Sequence, residues 1–195
     1  VSCMKVMITG PDDTPYNSGV YIFDVLIPSD YPISPPKVIF KNTGGKRFNP
    51  NLYNCGKVCL SLLGTWSGDS NEKWIPSEST LNQIFISIQS QIFIKEPYFN
   101  EPGYEREMNT TEGKKLSINY NKRIRLYTME HAIKDMLKNP EIVFKNEIID
   151  HFKLKKFYIK KILEDWSNCE HLKSTEKKRY MTLSNEINTL LNNLG

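Results

Sequence analysis

Of the side chains able to do covalent chemistry, Cys59 has the most informative surroundings. It lies in Gly56-Lys57-Val58-Cys59-Leu60-Ser61-Leu62, eight residues after the Asn51 of Asn49-Pro50-Asn51. A thiolate attacks carbonyl carbon, and the attack places negative charge on the carbonyl oxygen. An asparagine amide can donate a hydrogen bond to that oxyanion. By residue type alone, however, a lone intracellular cysteine is a small buried apolar side chain. A cysteine hydrolase also needs a base beside the thiol, normally histidine. The three histidines, His131, His151 and His171, all fall in the C-terminal half, so hydrolysis is disfavoured. Two readings stay open at this point: a thiol nucleophile with an amide nearby, or a buried sulfur.

Other chemistries find less support. Cys55-x-x-x-Cys59 could supply half of a zinc site, but Cys3 and Cys169 are isolated and no second Cys/His pair follows at ligand spacing. No metal is expected. A Cys55–Cys59 disulfide stays open, because spacing alone says little about geometry. Neither Gly-x-Gly-x-x-Gly nor Gly-x-x-x-x-Gly-Lys-Ser/Thr occurs, so no phosphate cradle is expected. Lys153, Lys155, Lys156, Lys160 and Lys161 read as a solvated helix face rather than a nucleic-acid site.

The 195 residues hold 39% apolar and 25% charged side chains, enough core material for a folded chain and too little imbalance for a disordered one. A net charge of +4 requires no nucleic-acid partner. No apolar run approaches the roughly 18 residues of a membrane span. Four irregularly spaced cysteines are too few for a disulfide scaffold and suit a reducing, intracellular compartment.

Elements that could position Cys59 follow from periodicity. Val1 to Thr9 reads as a half-buried strand, with Met4, Val6 and Ile8 alternating with Lys5, Met7 and Thr9. The turn formers from Gly10 to Gly19 close a hairpin onto Val20 to Ile27, whose Tyr21, Phe23, Val25 and Ile27 share a face. Pro35-Pro36 leads into a third strand, Lys37 to Phe40. Short links predict an antiparallel meander. From Asn42 to Pro76 periodicity is lost, yet the apolar content predicts an ordered irregular segment packed on the sheet. Thr80-x-x-Gln83 is a capping box opening a helix through Leu81, Ile84, Phe85, Ile88, Ile92 and Phe93, stopped by Glu96-Pro97. Leu126, Met129, Ile133, Met136 and Leu137 mark a second helix ending at Asn139-Pro140. One or two more helices fill 141–166, with Ile159, Ile162, Leu163 and Trp166 on one face. Tyr180, Leu183, Ile187, Leu190, Leu191 and Leu194 form a heptad-like stripe in the last segment. Strands first and helices later predict the α+β class.

Four ordered motifs carry a resemblance. Gly10-Pro11-x-x-Thr14-Pro15-Tyr16-x-x-Gly19, Tyr31-Pro32-x-x-Pro35-Pro36, Asn49-Pro50-Asn51 followed by Gly56-Lys57-Val58-Cys59-Leu60, and Trp74-x-Pro76 stand in register. Together they resemble the ubiquitin-conjugating enzymes. The family's usual active-site strip is His-Pro-Asn followed by Gly-x-x-Cys-Leu, so Asn49 stands where the family has histidine. A loop around Gly64 to Lys73 looks inserted. With Glu96-Pro97-Tyr98-Phe99-Asn100-Glu101-Pro102-Gly103-Tyr104-Glu105, these features resemble the large hybrid conjugating enzyme/ligase subgroup of the Bruce/apollon type. The family's amino-terminal helix has no counterpart here, which suits a fragment of a longer protein. The expected organisation is a truncated catalytic domain over 1–166 and a helical extension over 167–195.

The resemblance implies the chemistry. Cys59 would accept ubiquitin as a thioester from an activating enzyme and pass it to a substrate lysine. Asn51 matches the asparagine that stabilises the oxyanion or holds the loop. Glu101-Pro102 takes the place of the family's acid or hydroxyl beside the lysine channel, so Glu101 would orient the amine or receive its proton. Ile33, Ile75 and Pro76 fall where ligases grip the family. The implied partners are ubiquitin, the activating enzyme, a ligase or a ligase region of the parent chain, and protein substrates. No cofactor is implied, since ATP is consumed by the activating enzyme. The expected setting is cytoplasmic, nuclear or both. Two alternatives are a catalytically inactive variant serving as a ubiquitin- or ligase-binding scaffold, and a conjugating enzyme for another ubiquitin-like modifier.

Overall fold

The first three elements form as alternation predicts. β1 (Ser2–Thr9), β2 (Val20–Ile27) and β3 (Lys37–Phe40) make an antiparallel meander in the order β1-β2-β3. The computed structural model describes residues 2–67 and 72–194, so Val1 of the expected strand and residues 68–71 of the expected inserted loop lie outside the described residues. Thr9 pairs with Val20, and the Gly10 N–H donates to the Gly19 carbonyl at 2.9 Å. A Cβ on Gly10 would lie 1.8 Å from the Tyr16 carbonyl oxygen, so the turn closes this tightly only on glycine.

β2 buries both of its faces. Tyr21, Phe23 and Val25 join Phe40, Phe48, Leu52 and Ile84 in one apolar cluster. Val20 and Ile22 join Met129, Ile133, Ile148 and Phe152 in a second. Simple alternation predicted one buried face. The opposite one is covered as well, because the C-terminal helices pack across it.

The irregular strip after β3 is held by backbone pairing to that strand. The Phe40 N–H donates to the Gly56 carbonyl at 2.9 Å, and Ile39 bridges Lys57. Gly56 has φ +89°, with the Phe40 carbonyl oxygen 2.5 Å from where a Cβ would sit. Phe48, Leu52, Val58 and Leu60 of the strip are buried in the first cluster.

α1 (Leu81–Ser87) begins with the expected capping box: the Gln83 N–H donates to Thr80 Oγ1 at 3.3 Å and the Thr80 N–H to Gln83 Oε1 at 2.7 Å. It widens into a π-helical turn over Ile88–Ile92 and ends at Phe93, ahead of Glu96-Pro97. The second helix begins far earlier than its apolar stripe suggested. α2 (Thr111–Tyr127) continues through a π-helical segment, Thr128–Lys134, into α3 (Asp135–Lys138). The buried residues of α2 are Gly113, Ser117, Lys122 and Ile124, only one of them apolar and large. Small and polar contacts carry no hydrophobic period, so that part of the helix was missed.

α4 (Lys145–Leu154) and α5 (Lys156–Ser167) supply the helices expected over 141–166. Ile159, Ile162, Leu163 and Trp166 are buried together in the second cluster. α6 (Ser174–Asn192) turns Tyr180, Leu183, Ile187 and Leu191 into that same cluster. The heptad-like stripe therefore packs on its own chain.

Candidate active site

Asn49, fully buried, organises the strip. Its Nδ2 donates to Tyr16 Oη at 3.0 Å and to the Ile92 carbonyl at 2.8 Å. Its Oδ1 accepts from the Asn51 N–H at 2.8 Å and from Asn100 Nδ2 at 3.3 Å. Tyr16 Oη in turn donates to the Phe48 carbonyl at 2.8 Å. One amide thus ties the hairpin turn, the end of the π-helical turn and the segment before Glu101 to the strip. The sequence reading saw Asn49 only as a departure from a family pattern. Its neighbours Tyr16 and Asn100 lie 33 and 51 residues away in the chain, and no local signal links them.

Asn51 and Cys59 are locked together. The Cys59 N–H donates to the Asn51 carbonyl at 2.9 Å. Asn51 Nδ2 donates back to the Cys59 carbonyl at 3.0 Å. Asn51 Oδ1 is buried with no partner among the described residues. The two residues expected to act together are thus adjacent, and one of the two amide protons holds the cysteine loop.

The thiol differs from expectation in one respect. Cys59 is only 2% exposed. Its backbone is pinned to Asn51, and Val58 and Leu60 on either side are themselves core residues. A groove of about 440 Å³ begins at the next residue, lined by Leu60, Ser61, Leu62, Gln83, Ile86 and Gln91. Cys55, by contrast, is exposed, and all four cysteines are free thiols.

Glu101 is held by Arg47. Arg47 Nη2 lies 3.2 Å from Glu101 Oε2 and donates to the Pro50 carbonyl at 2.7 Å. The guanidinium also stacks over Tyr53 at 4.6 Å. Arg47 went unnoticed in the sequence, yet it connects Glu101 to the residue preceding Asn51. The histidines have other partners. His131 Nδ1 lies 2.8 Å from Asp135 Oδ2, and His151 Nε2 donates to the Ser18 carbonyl at 2.9 Å. His171 is exposed.

A hydrogen bond joins the two expected ligase loops. Trp74 Nε1 donates to the Pro32 carbonyl at 2.7 Å, and the Tyr31 and Trp74 rings lie 5.8 Å apart. Ile33 is 72% exposed on this surface. Ile75 is half-buried and Pro76 exposed. Ile33 and Trp74 border one groove of about 600 Å³.

Comparison with known proteins agrees with this geometry. The family described as "Ubiquitin-conjugating enzyme" matches residues 1–128. Human BIRC6, named a dual ubiquitin-conjugating enzyme and ubiquitin-protein ligase, is 48% identical over 189 residues, 96% of this chain and 4% of its own. A probable ubiquitin-conjugating enzyme of Caenorhabditis elegans is 51% identical over 168 residues, 85% of this chain and 23% of its own. One of Acanthamoeba polyphaga mimivirus is 46% identical over 192 residues, 97% of this chain and 13% of its own. The chain therefore spans less than a quarter of the length of each of these three relatives.

Proposed function

Because the chain belongs to the ubiquitin-conjugating enzyme family, we propose that it carries ubiquitin as a thioester on Cys59 and transfers it to lysine. Cys59 Sγ attacks the carbonyl carbon of a ubiquitin thioester held by the activating enzyme. The tetrahedral species collapses by expelling that enzyme's thiolate. A neutral lysine amine then attacks the new thioester, an amide forms, and Cys59 leaves as thiolate. Free lysine has a pKa of about 10.4, so the amine must lose a proton near the site. A thioester is already reactive. Positioning and oxyanion stabilisation then supply most of the acceleration, and no histidine base is required.

The observation that carries this reading is the reciprocal pair between Asn51 and Cys59, two hydrogen bonds that fix an amide on the backbone of the proposed nucleophile. Glu101, held by Arg47, fits orientation of the incoming amine better than uptake of its proton. The exposed Ile33 with Ile75 and Pro76 fits a small transient ligase interface. One observation favours the rival reading of a non-catalytic binding module: the sulfur of Cys59 is covered.

Incubation with ubiquitin, activating enzyme and ATP should yield a reductant-sensitive adduct. Cys59→Ala should abolish it and Cys59→Ser should convert it to a reductant-resistant ester. Parallel incubations with other ubiquitin-like modifiers and their own activating enzymes identify the cargo. An unmodified Cys59 in every incubation supports the binding module.

A further inference from the structure

A second cleft, of about 460 Å³, opens on the Glu101 side of the strip. Pro50 lies in its wall, one residue before Asn51 in the chain, and Glu101 is in the wall as well. Its floor is aromatic: Tyr98 lies 4.8 Å from Tyr104 and 6.1 Å from Tyr120, centroid to centroid. Two guanidinium groups border it. Arg47 is neutralised by Glu101 at 3.2 Å. Arg123 lies over the Tyr120 ring at 4.8 Å and has no carboxylate partner among the described residues. Glu107 faces the hydroxyl of Tyr98 at 3.5 Å.

We propose that this cleft selects the acceptor: it takes a protein segment in which a lysine is accompanied by an aromatic side chain and a neighbouring Asp or Glu. Tyrosine rings tilted against one another, as Tyr98 is to Tyr104 and Tyr120, offer apolar faces and edges to a further aromatic ring. A guanidinium has five N–H donors, so an arginine beside a tyrosine still has donors for a carboxylate. Among the described residues the cleft has one unneutralised cation, Arg123, which suits a monoanionic carboxylate. A dianionic phosphate would also face Glu101 and Glu107. This inference rests on the reading above, since it assigns that site its substrate class.

The test uses acetylated peptides of equal length, each with one lysine. One carries Phe-Asp beside the lysine, one Phe-Arg, and one Phe-phosphoserine. Discharge of ubiquitin from purified charged protein is timed with each peptide. Each rate is divided by the rate with free lysine for the same protein, so a general loss of activity cancels. The native chain should favour Phe-Asp over Phe-Arg by about fivefold, the effect of one exposed charge pair. Arg123→Glu should reverse that order. Equal normalised rates in the native chain, or a preference that survives Arg123→Glu, would overturn the proposal. A faster phosphoserine peptide would overturn the carboxylate assignment. Anisotropy of labelled peptides on the uncharged protein separates the two claims. If Cys59 never charges, the transfer reading fails, while tighter binding of Phe-Asp, lost in Arg123→Glu, still supports the cleft.

Discussion

Asn51 can serve in two ways that differ in size. An amide that donates to an oxyanion is worth about 2.7–4 kcal/mol, a factor of 10² to 10³ in rate. An amide that holds a loop through one neutral hydrogen bond is worth about 0.5–1.5 kcal/mol. Its Nδ2 already donates to the Cys59 carbonyl, which favours the smaller effect. Asn51→Ala is therefore expected to charge normally and to discharge to lysine about tenfold more slowly. Single-turnover discharge measures this. A loss of several hundredfold would return the amide to the oxyanion. At this scale the sequence was partly legible. Asn51 and Cys59 stood out because their side chains have obvious chemistry. Asn49 and Arg47 did not, because their value lies in partners from other parts of the chain, such as Tyr16, Ile92 and Glu101.

Contacts between elements carry two further predictions. Trp74 Nε1 joins the Trp74 loop to Pro32, beside the exposed Ile33. Ile33→Ala should lower the ratio of ligase-stimulated to unstimulated discharge several-fold. Its urea midpoint should stay within about 0.5 kcal/mol of native stability, as for most exposed positions. An unchanged ratio would remove the ligase role. The second concerns the hairpin turn and α4. His151 donates to the Ser18 carbonyl. Burial pulls its pKa below the ordinary 6.5, the hydrogen bond to Ser18 opposes this, and the charge of Lys155 adds to the lowering. The unfolded chain therefore binds this proton more readily than the folded one. The contribution of the neutral ring is present above about pH 6.5 and is lost as pH falls toward the folded value. Urea midpoints at pH 7.5 and pH 5.5 should fall further apart in the native chain than in His151→Gln. Equal pH slopes would show that His151 is not the responsible group. Strands, the capping box and the apolar face of α5 were legible, since each announces itself by its own local pattern, while 141–166 read only as one or two helices. The first half of α2 was not, because Gly113 and Ser117 line its buried face.

The molecule as a whole is built around β2, with one apolar cluster on each face. The first supports the strip that carries Asn51 and Cys59. The second takes in α4, α5 and α6, so the last helix is part of the same packing. Ile187, fully buried there, tests it. Ile187→Ala should cost about 2–5 kcal/mol of stability, the usual range for a large buried aliphatic residue. A loss under about 0.5 kcal/mol, read by urea unfolding, would mean that α6 adds nothing to the fold. The sequence by itself determined the strand order, the helix signals, the family motifs and the identity of the candidate nucleophile. Each of these is written in residues close together in the chain. Tertiary structure alone decided that both faces of β2 are covered, that Asn49 is the hub of the strip and that Arg47 holds Glu101. It also decided that the sulfur of Cys59 is nearly enclosed. Burial and hydrogen bonding are properties of space, and they depend on which distant segments the fold brings into contact.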